Sequence, residues 1–410
     1  MRSPRARSTC SSSVTSHDDA DADDVVPGSF CVDQIILREI SLRLREPFRI
    51  SSGMLTDRRI ALLELFDVDG VRAWSECVAF QFPMYTSETI DTAWMAIRDW
   101  LAPRVLGRRF ADPAEVHAIL HTNIRGHNMA KAALEMGCWG LASAARSQSL
   151  SSLLGGTRDR VATGISLGIQ AHPDALVARA LAAVADGYRK VKVKIQPGQD
   201  IAFVRAVRDA LGDDVGVMAD ANSAYTSRDA EHLAQLDAFN LIMLEQPLGD
   251  DDLIRHAALQ QRMSTPICLD ESITSVDRAE DMITLKSGRI INIKPGRVGG
   301  FSAAKAIHDV ARAAGIPVWC GGMLETGIGR AYNVALASLP NFSLPGDLSP
   351  SARYWTRDIV SPEWTMDAEG MVQVPLGRPG LGVAVDEDWI ESLTVRREAL
   401  RSARTVVSVQ

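Results

Sequence analysis

Short apolar runs, each closing on a charged or polar side chain, recur through the middle of the chain. From about Val161 they alternate strictly with helical stretches: VATGISLGI, KVKVKI, VGVMAD, LIMLE, PICLD, IINIK and PVWC, with a weaker eighth run at NFSLPGD. PDALVARALAAVADG places Leu176, Val177, Ala180, Leu181 and Val184 on one helical face and meets a stop at Gly187. Seven or eight such strand–helix units in series specify a parallel α/β barrel of the TIM type.

The pattern upstream is different. QIILREISLRLREPFRI alternates Ile40, Leu42 and Leu44 against charged residues, and RIALLELFDVDG with VRAWSECVAF reads as a hairpin turned at Asp69-Gly70. Helical periodicity follows in TSETIDTAWMAIRDWLAPRVLG, DPAEVHAILHTN and GHNMAKAALEMGCWGLASAARS. Strands and then helices, without alternation, make an α+β unit. The chain therefore divides into an α+β domain over 31–155 and a barrel over 156–360. The strand- and glycine-rich remainder, about 361–400, is expected to return to the first domain. Residues 1–30 are rich in Arg and Ser and then in Asp, with no apolar core of a secretory signal, and are expected to form a disordered tail.

The total of 410 residues leaves ample length for both domains, and 46% of them are hydrophobic, which is ordinary for a globular protein. A formal net charge of -7 argues against a nucleic-acid partner or an anionic membrane surface. No apolar run reaches the ~18 residues of a membrane span. The six cysteines are scattered with no CxxC pair, which points to a reducing cytoplasm and not to a disulfide framework.

The candidate chemistry lies at the ends of the apolar runs. Lys194, Asp220, Glu245, Asp270 and Lys294 recur at intervals of about 25 residues, the length of one strand–helix unit. Barrel strands converge on one face, so the five side chains should meet in one site. In an eight-membered ring the second and sixth strands are opposite, which sets Lys194 against Lys294 with the three acids on the wall between. Three adjacent carboxylates cannot all stay ionised without a cation, and a hard divalent ion with oxygen ligands, Mg²⁺ or its neighbour in chemistry Mn²⁺, resolves the repulsion. Such a site can neutralise an enediolate, and a lysine whose pKa is lowered there can act as base, so the expected reaction is removal of a proton α to a carboxylate. Two opposed bases permit racemisation; one base with a stabilising ammonium permits β-elimination.

Blander readings apply to individual residues. Lys190, Lys192 and Lys194 share one face of their strand, which alone fits a wetted face; in the barrel reading Lys194 is at the catalytic end, Lys192 one layer below and Lys190 near a solvated bottom. Any one of the three acids alone fits a helix cap. Asn222 and Tyr225 fit turn formation as well as a site, and Glu271 and Ser272 fit helix caps as well as support for the metal group. Arg297, in Arg297-Val298-Gly299-Gly300, fits an anion grip or a plain turn. The eight histidines show no ligand spacing.

At these positions the chain resembles the enolase superfamily. KVKVK carries the K-x-K motif, DANSAY, EQPL and LDES the three metal-ligand motifs, and IINIKPGRVGG the sixth-strand lysine. GYRKVKVKIQPGQD, WCGGMLETGIGRAYN, SLPGDLS, SECVAFQFPMYTSET and IRGHNMAKAALE narrow the resemblance, from about Gln34 to about Val385, to the o-succinylbenzoate synthase / N-acylamino acid (N-succinylamino acid) racemase group. This implies a (β/α)7β barrel under an α+β capping domain that the C-terminal segment completes. It implies Lys194 and Lys294 as acid/bases on opposite faces, Lys192 beside the substrate carboxylate, and Asp220, Glu245 and Asp270 as ligands of Mg²⁺. Cap loops matching Phe48–Met54, with Phe48 and Ser52, and Phe82–Tyr85 are expected to close over a small-molecule carboxylate, with Met323 and Glu325 near it. The group dehydrates a succinyl-hydroxycyclohexadiene carboxylate in menaquinone synthesis or racemises N-acylated amino acids, and a homo-oligomer is expected. One departure is Trp139-Gly140, where relatives carry Asp after the tryptophan; the glycine is expected to soften helix packing by roughly 1 kcal/mol.

Within the superfamily, Lys294 and Trp319-Cys320 stand where a mandelate-racemase-like enzyme would place a His–Asp pair. Asp347-Leu348-Ser349 supplies one acid where a dipeptide epimerase would carry two. A cycloisomerase stays open. A non-catalytic metal-stabilised barrel is disfavoured by the complete lysine pair. Lyase and racemase use the same five residues, so the sequence does not separate them.

Overall fold

The structure, a computed structural model, describes residues 27–51 and 53–402. Residues 1–26 of the tail expected over 1–30, Cys10 among them, and the candidate Ser52 lie outside the described residues. Strand Phe30–Ile50 pairs antiparallel with Gly53–Asp67, which pairs in turn with Arg72–Cys77 around the Asp69-Gly70 turn. Along the first strand Ile40, Leu42 and Leu44 are buried while Ser41, Arg43 and Arg45 are exposed, so the period of two in the sequence sets which face meets the core. Strand Thr394–Arg401 completes this sheet against the first strand, Gln34 opposite Arg401 and Ile40 opposite Thr394.

Helices Ile90–Ala96, Ala114–His121 and Asn128–Ala145 cover the sheet, the first continuing as one π turn over Ile97–Leu101. In the long helix Gly140 contributes close approach, not softness. A Cβ there would stand 2.6 Å from Tyr332 Oη and 3.0 Å from Ala73 Cβ. The absence of a side chain lets helix, sheet and barrel meet at one point.

The seven barrel strands, Ile165–Leu167, Lys190–Lys194, Gly216–Asp220, Leu244–Glu245, Ile267–Leu269, Ile290–Ile293 and Val318–Cys320, form one parallel sheet with each strand beside its sequence neighbours. The expected eighth strand at 341–347 is reduced to two bridges, Phe342 to Val318 and Gly346 to Thr163, which join the sheet's two edges. Pro345 supplies no backbone donor, so this stretch cannot sustain a ladder.

Two further expectations are corrected. Helix Pro173–Ala185 buries Leu176, Ala180 and Ala183, while Leu181 is exposed; the contact stripe is narrower than the apolar face. Lys190 is not at a solvated bottom but fully buried, its Nζ 3.8 Å from the centroid of the Trp319 ring, because Trp319 from the seventh strand fills the barrel floor.

The capping unit is seated on the barrel by polar contacts. Glu76 accepts hydrogen bonds from the backbone of Thr326 and Gly329, and Glu135 from those of Phe301 and Ser302, so two cap carboxylates meet the starts of two barrel helices. At the barrel mouth the tip of the first hairpin reaches down. The backbone N–H of Ile169 donates to Arg49 O at 3.0 Å, and Ser51 Oγ lies 3.4 Å from the carbonyl oxygens of Ala221 and Asn222.

Candidate active site

Strand register places the first three candidate residues at one height. Lys194 is the Cα partner of Asp220, and Asp220 of Glu245, across adjacent parallel strands. Asp270 follows two residues after Cys268, itself the partner of Glu245. Side chains two apart on a strand share a face, so Lys190, Lys192 and Lys194 all point inward. All are buried, as are Asp220, Glu245, Asp270 and Lys294.

Each acid is held by a cationic or amide head. Lys194 Nζ donates to Asp220 Oδ2 at 2.5 Å and to Asn222 Oδ1 at 2.7 Å. Lys192 Nζ donates to Asp347 Oδ2 at 2.5 Å and to Glu245 Oε2 at 3.3 Å, and lies 3.6 Å from Asp220. Asn292 Nδ2 donates to the other Glu245 oxygen at 2.7 Å. Lys294 Nζ donates to Asp270 Oδ2 at 2.7 Å and to Tyr85 Oη at 3.1 Å, and Arg297 is bonded to Asp270 Oδ1.

Burial and these partners oppose one another. Burial alone raises Asp220, but Lys194 and Lys192 hold it below the usual carboxylate range. Glu245 is pushed up, first by burial and then by Asp220 beside it. Lys294 is drawn both ways. Burial lowers it, yet Asp270 and the groups around it hold it above its ordinary value. Glu271 is pushed up to about 7 by burial and by Asp270.

A cavity of about 60 Å³ lies over this cluster, lined by Lys192, Lys194, Lys294, Asn222 and Ser166 on the barrel side and by Phe48, Phe80 and Tyr85 from the cap. Met323 lines it as well. Ser272 and Glu325 do not line it. Ser272 Oγ accepts from Gln246 Nε2 at 2.8 Å, and Glu325 accepts from Met323 N and Asn333 Nδ2, each at 2.8 Å. Glu271 and Arg297 instead line a larger cavity, to which Tyr85 also contributes.

Sequence reasoning passed over Asp347 as a partner of Lys192, Asn292 as a partner of Glu245, and the Tyr85 hydroxyl. Asn292 had a usable signal, since it stands two residues before Lys294 on the same strand face. Asp347 and Tyr85 come from irregular segments whose direction no periodicity encodes.

Residues 175–389 match the family described as enolase C-terminal domain-like, and residues 33–155 match the mandelate racemase / muconate lactonizing enzyme N-terminal domain. The chain belongs to the enolase superfamily. Within it, the chain is 47% identical to an o-succinylbenzoate synthase of Geobacillus kaustophilus, over 88% of this chain and 96% of that one. It is 46% identical to an N-succinylamino acid racemase of an Amycolatopsis species, over 88% and 97%. A solved enolase-superfamily member from Listeria innocua superposes with a TM-score of 0.87 at 38% identity, covering 91% of this chain and 99% of that one. A dipeptide epimerase of Cytophaga hutchinsonii, solved with Mg and a dipeptide, gives 0.84 at 25% identity, covering 90% and 100%.

The donor set fits a hard divalent ion of the kind enolase-superfamily enzymes use. All three acids offer oxygen, and Asp220 and Glu245 are register partners on adjacent strands whose carboxylates both lie within 3.6 Å of Lys192 Nζ, so buried negative charge is gathered where a cation would serve. In this arrangement lysine and arginine heads divide the acids: among the described residues no three His, Cys, Asp or Glu side chains stand together as a metal-holding group. Among the described residues no helix is long and apolar enough to cross a membrane.

Proposed function

We propose that this chain removes the proton α to a substrate carboxylate, acting as an o-succinylbenzoate synthase, as an N-succinylamino acid racemase, or as both. The observation that carries the reading is the placement of two amines about one cavity. Lys194 and Lys294 both line it, from strands separated by three others in the sheet, and so stand on opposite arcs of the ring. The names of the relatives at 46–47% identity support the two activities.

Lys194, as the free amine, takes the α-proton, and the C–H electron pair moves into the carboxylate to give an enediolate. In racemisation the Lys294 ammonium returns a proton to the opposite face. In dehydration the pair expels the β-hydroxyl, which leaves as water with the proton Lys194 has taken, while the Lys294 ammonium offsets the anion. Lys192, fixed by Asp347, supplies a further positive charge for the substrate carboxylate. A divalent ion, Mg²⁺ or Mn²⁺, held by Asp220, Glu245 and Asp270 would add positive charge where the enediolate gains its second negative charge.

We place the enzyme in a reducing cytoplasm, a reading supported by five free, buried cysteines among the described residues.

The test assays the purified protein with Mg²⁺ on both substrates, beside Lys194→Ala and Lys294→Ala. Each substitution is expected to abolish racemisation; near-normal turnover in either refutes the two-base assignment.

A further inference from the structure

The largest cavity described, about 810 Å³, opens between cap helices Ala114–His121 and Asn128–Ala145 and the barrel turns that follow Asp270 and Lys294. Glu271 lines it, Asn222 lines the small cavity over the lysines, and Tyr85 lines both. Glu271 Oε1 accepts a hydrogen bond from Asn222 Nδ2 at 3.0 Å, and Asn222 Oδ1 accepts from Lys194 Nζ at 2.7 Å. Glu271 Oε2 is buried and has no hydrogen-bond partner among the described residues. Asn222 itself is held in the left-handed region, at φ +43°.

A carboxamide has one accepting and one donating edge, and the partner of one edge decides where the other points. The accepting oxygen of Glu271 pairs with the NH2 edge and so turns the carbonyl edge toward Lys194 Nζ. Lys294 is anchored differently, by Asp270 and Tyr85, and among the described residues Glu271 makes no hydrogen bond to it.

We propose that Glu271 is a positioning residue for Lys194, acting through Asn222, and that it governs proton transfer on one face of the substrate α-carbon. This rests on the two-base reading above. Its signature is asymmetry. Racemisation must fall equally in both directions, because the enantiomers have equal free energy. Exchange of the α-proton need not: the enantiomer whose hydrogen faces Lys294 still loses and regains it there.

The experiment follows solvent deuterium into each enantiomer of N-succinylphenylalanine by NMR, using the full chain with Mg²⁺. Lys194→Ala identifies the enantiomer that presents its hydrogen to Lys194. Glu271→Leu is expected to slow exchange from that enantiomer at least ten-fold, with exchange from the other within two-fold of the unmodified protein. Glu271→Gln keeps an accepting oxygen without the charge and is expected within three-fold on both. Equal loss from both enantiomers in Glu271→Leu, no loss from either, or a Gln variant as impaired as the Leu variant overturns the proposal. Loss from both in Lys194→Ala refutes the two-base reading and the inference with it. A selective Lys194→Ala beside an unselective Glu271→Leu refutes the inference alone.

Discussion

Tyr85 and Lys294 meet across the boundary between cap and barrel, Oη to Nζ at 3.1 Å, with the ammonium 4.4 Å from the ring centroid. The same hydroxyl donates to Asp270 Oδ1 at 2.9 Å. A cap residue therefore helps set where one of the two proposed bases points. Tyr85→Phe keeps the ring and removes the hydroxyl, and should lower kcat about ten-fold, the equivalent of ~1.4 kcal/mol for one hydrogen bond to a charged group. Thermal midpoints compared alongside initial rates check that the loss lies in turnover and not in folding.

Gly140→Ala reverses an ordinary expectation. In an exposed helix the change gains about 1 kcal/mol. Here the new methyl meets Tyr332 Oη, which donates to Trp74 O at 2.7 Å, so the substitution should cost roughly 1–3 kcal/mol. Urea denaturation measures it, and a stabilised variant would contradict the packing.

Glu76 predicts a pH dependence of stability. Burial, with Glu325 nearby, outweighs the Thr326 and Gly329 hydrogen bonds and pushes its carboxyl from 4.5 up to about 7. The folded state then holds a proton that the unfolded state has released. The stabilisation is complete below about pH 4.5 and is lost as pH rises through about 7. Relative to Glu76→Gln, which cannot titrate, the native protein should lose roughly 2–3 kcal/mol between pH 5 and 7.5. Urea melts across that range test it, and a pH-independent difference would contradict the assignment.

Stripping divalent ions with EDTA should abolish turnover, and added Mg²⁺ should restore it. Saturating ion should also raise the thermal midpoint, because an ion that binds the folded state stabilises it by mass action. Activity unaffected by chelation would remove the metal from the reading.

The barrel and the five-residue constellation were legible because both depend on periodicity. Strands end where apolar runs end, and the Lys194–Asp220–Glu245 register follows from that spacing. What escaped was the side chains' partnership once buried. Lysine beside acid reads equally well as base beside metal ligand or as ion pair, and spacing does not encode the 2.5 Å from Lys194 to Asp220 or the 2.7 Å from Lys294 to Asp270. The floor under Lys190 was illegible for a related reason: alternation says which way a side chain points, not whether Trp319 closes the space it enters. Gly140 was misjudged because helix propensity is local, whereas Tyr332 arrives from far along the chain.

The ring is fastened at one seam by the bridges Phe342–Val318 and Gly346–Thr163, where neighbouring staves share longer ladders. Next to Gly346 sits Asp347, which grips Lys192. The clasp of the bracelet is thus also the rest on which an inner amine leans. Lengthening or loosening the 341–349 segment would disturb the charge beneath the substrate before it disturbed the hoop, so tolerance to insertion here should be poorer than its lack of a regular strand alone would suggest.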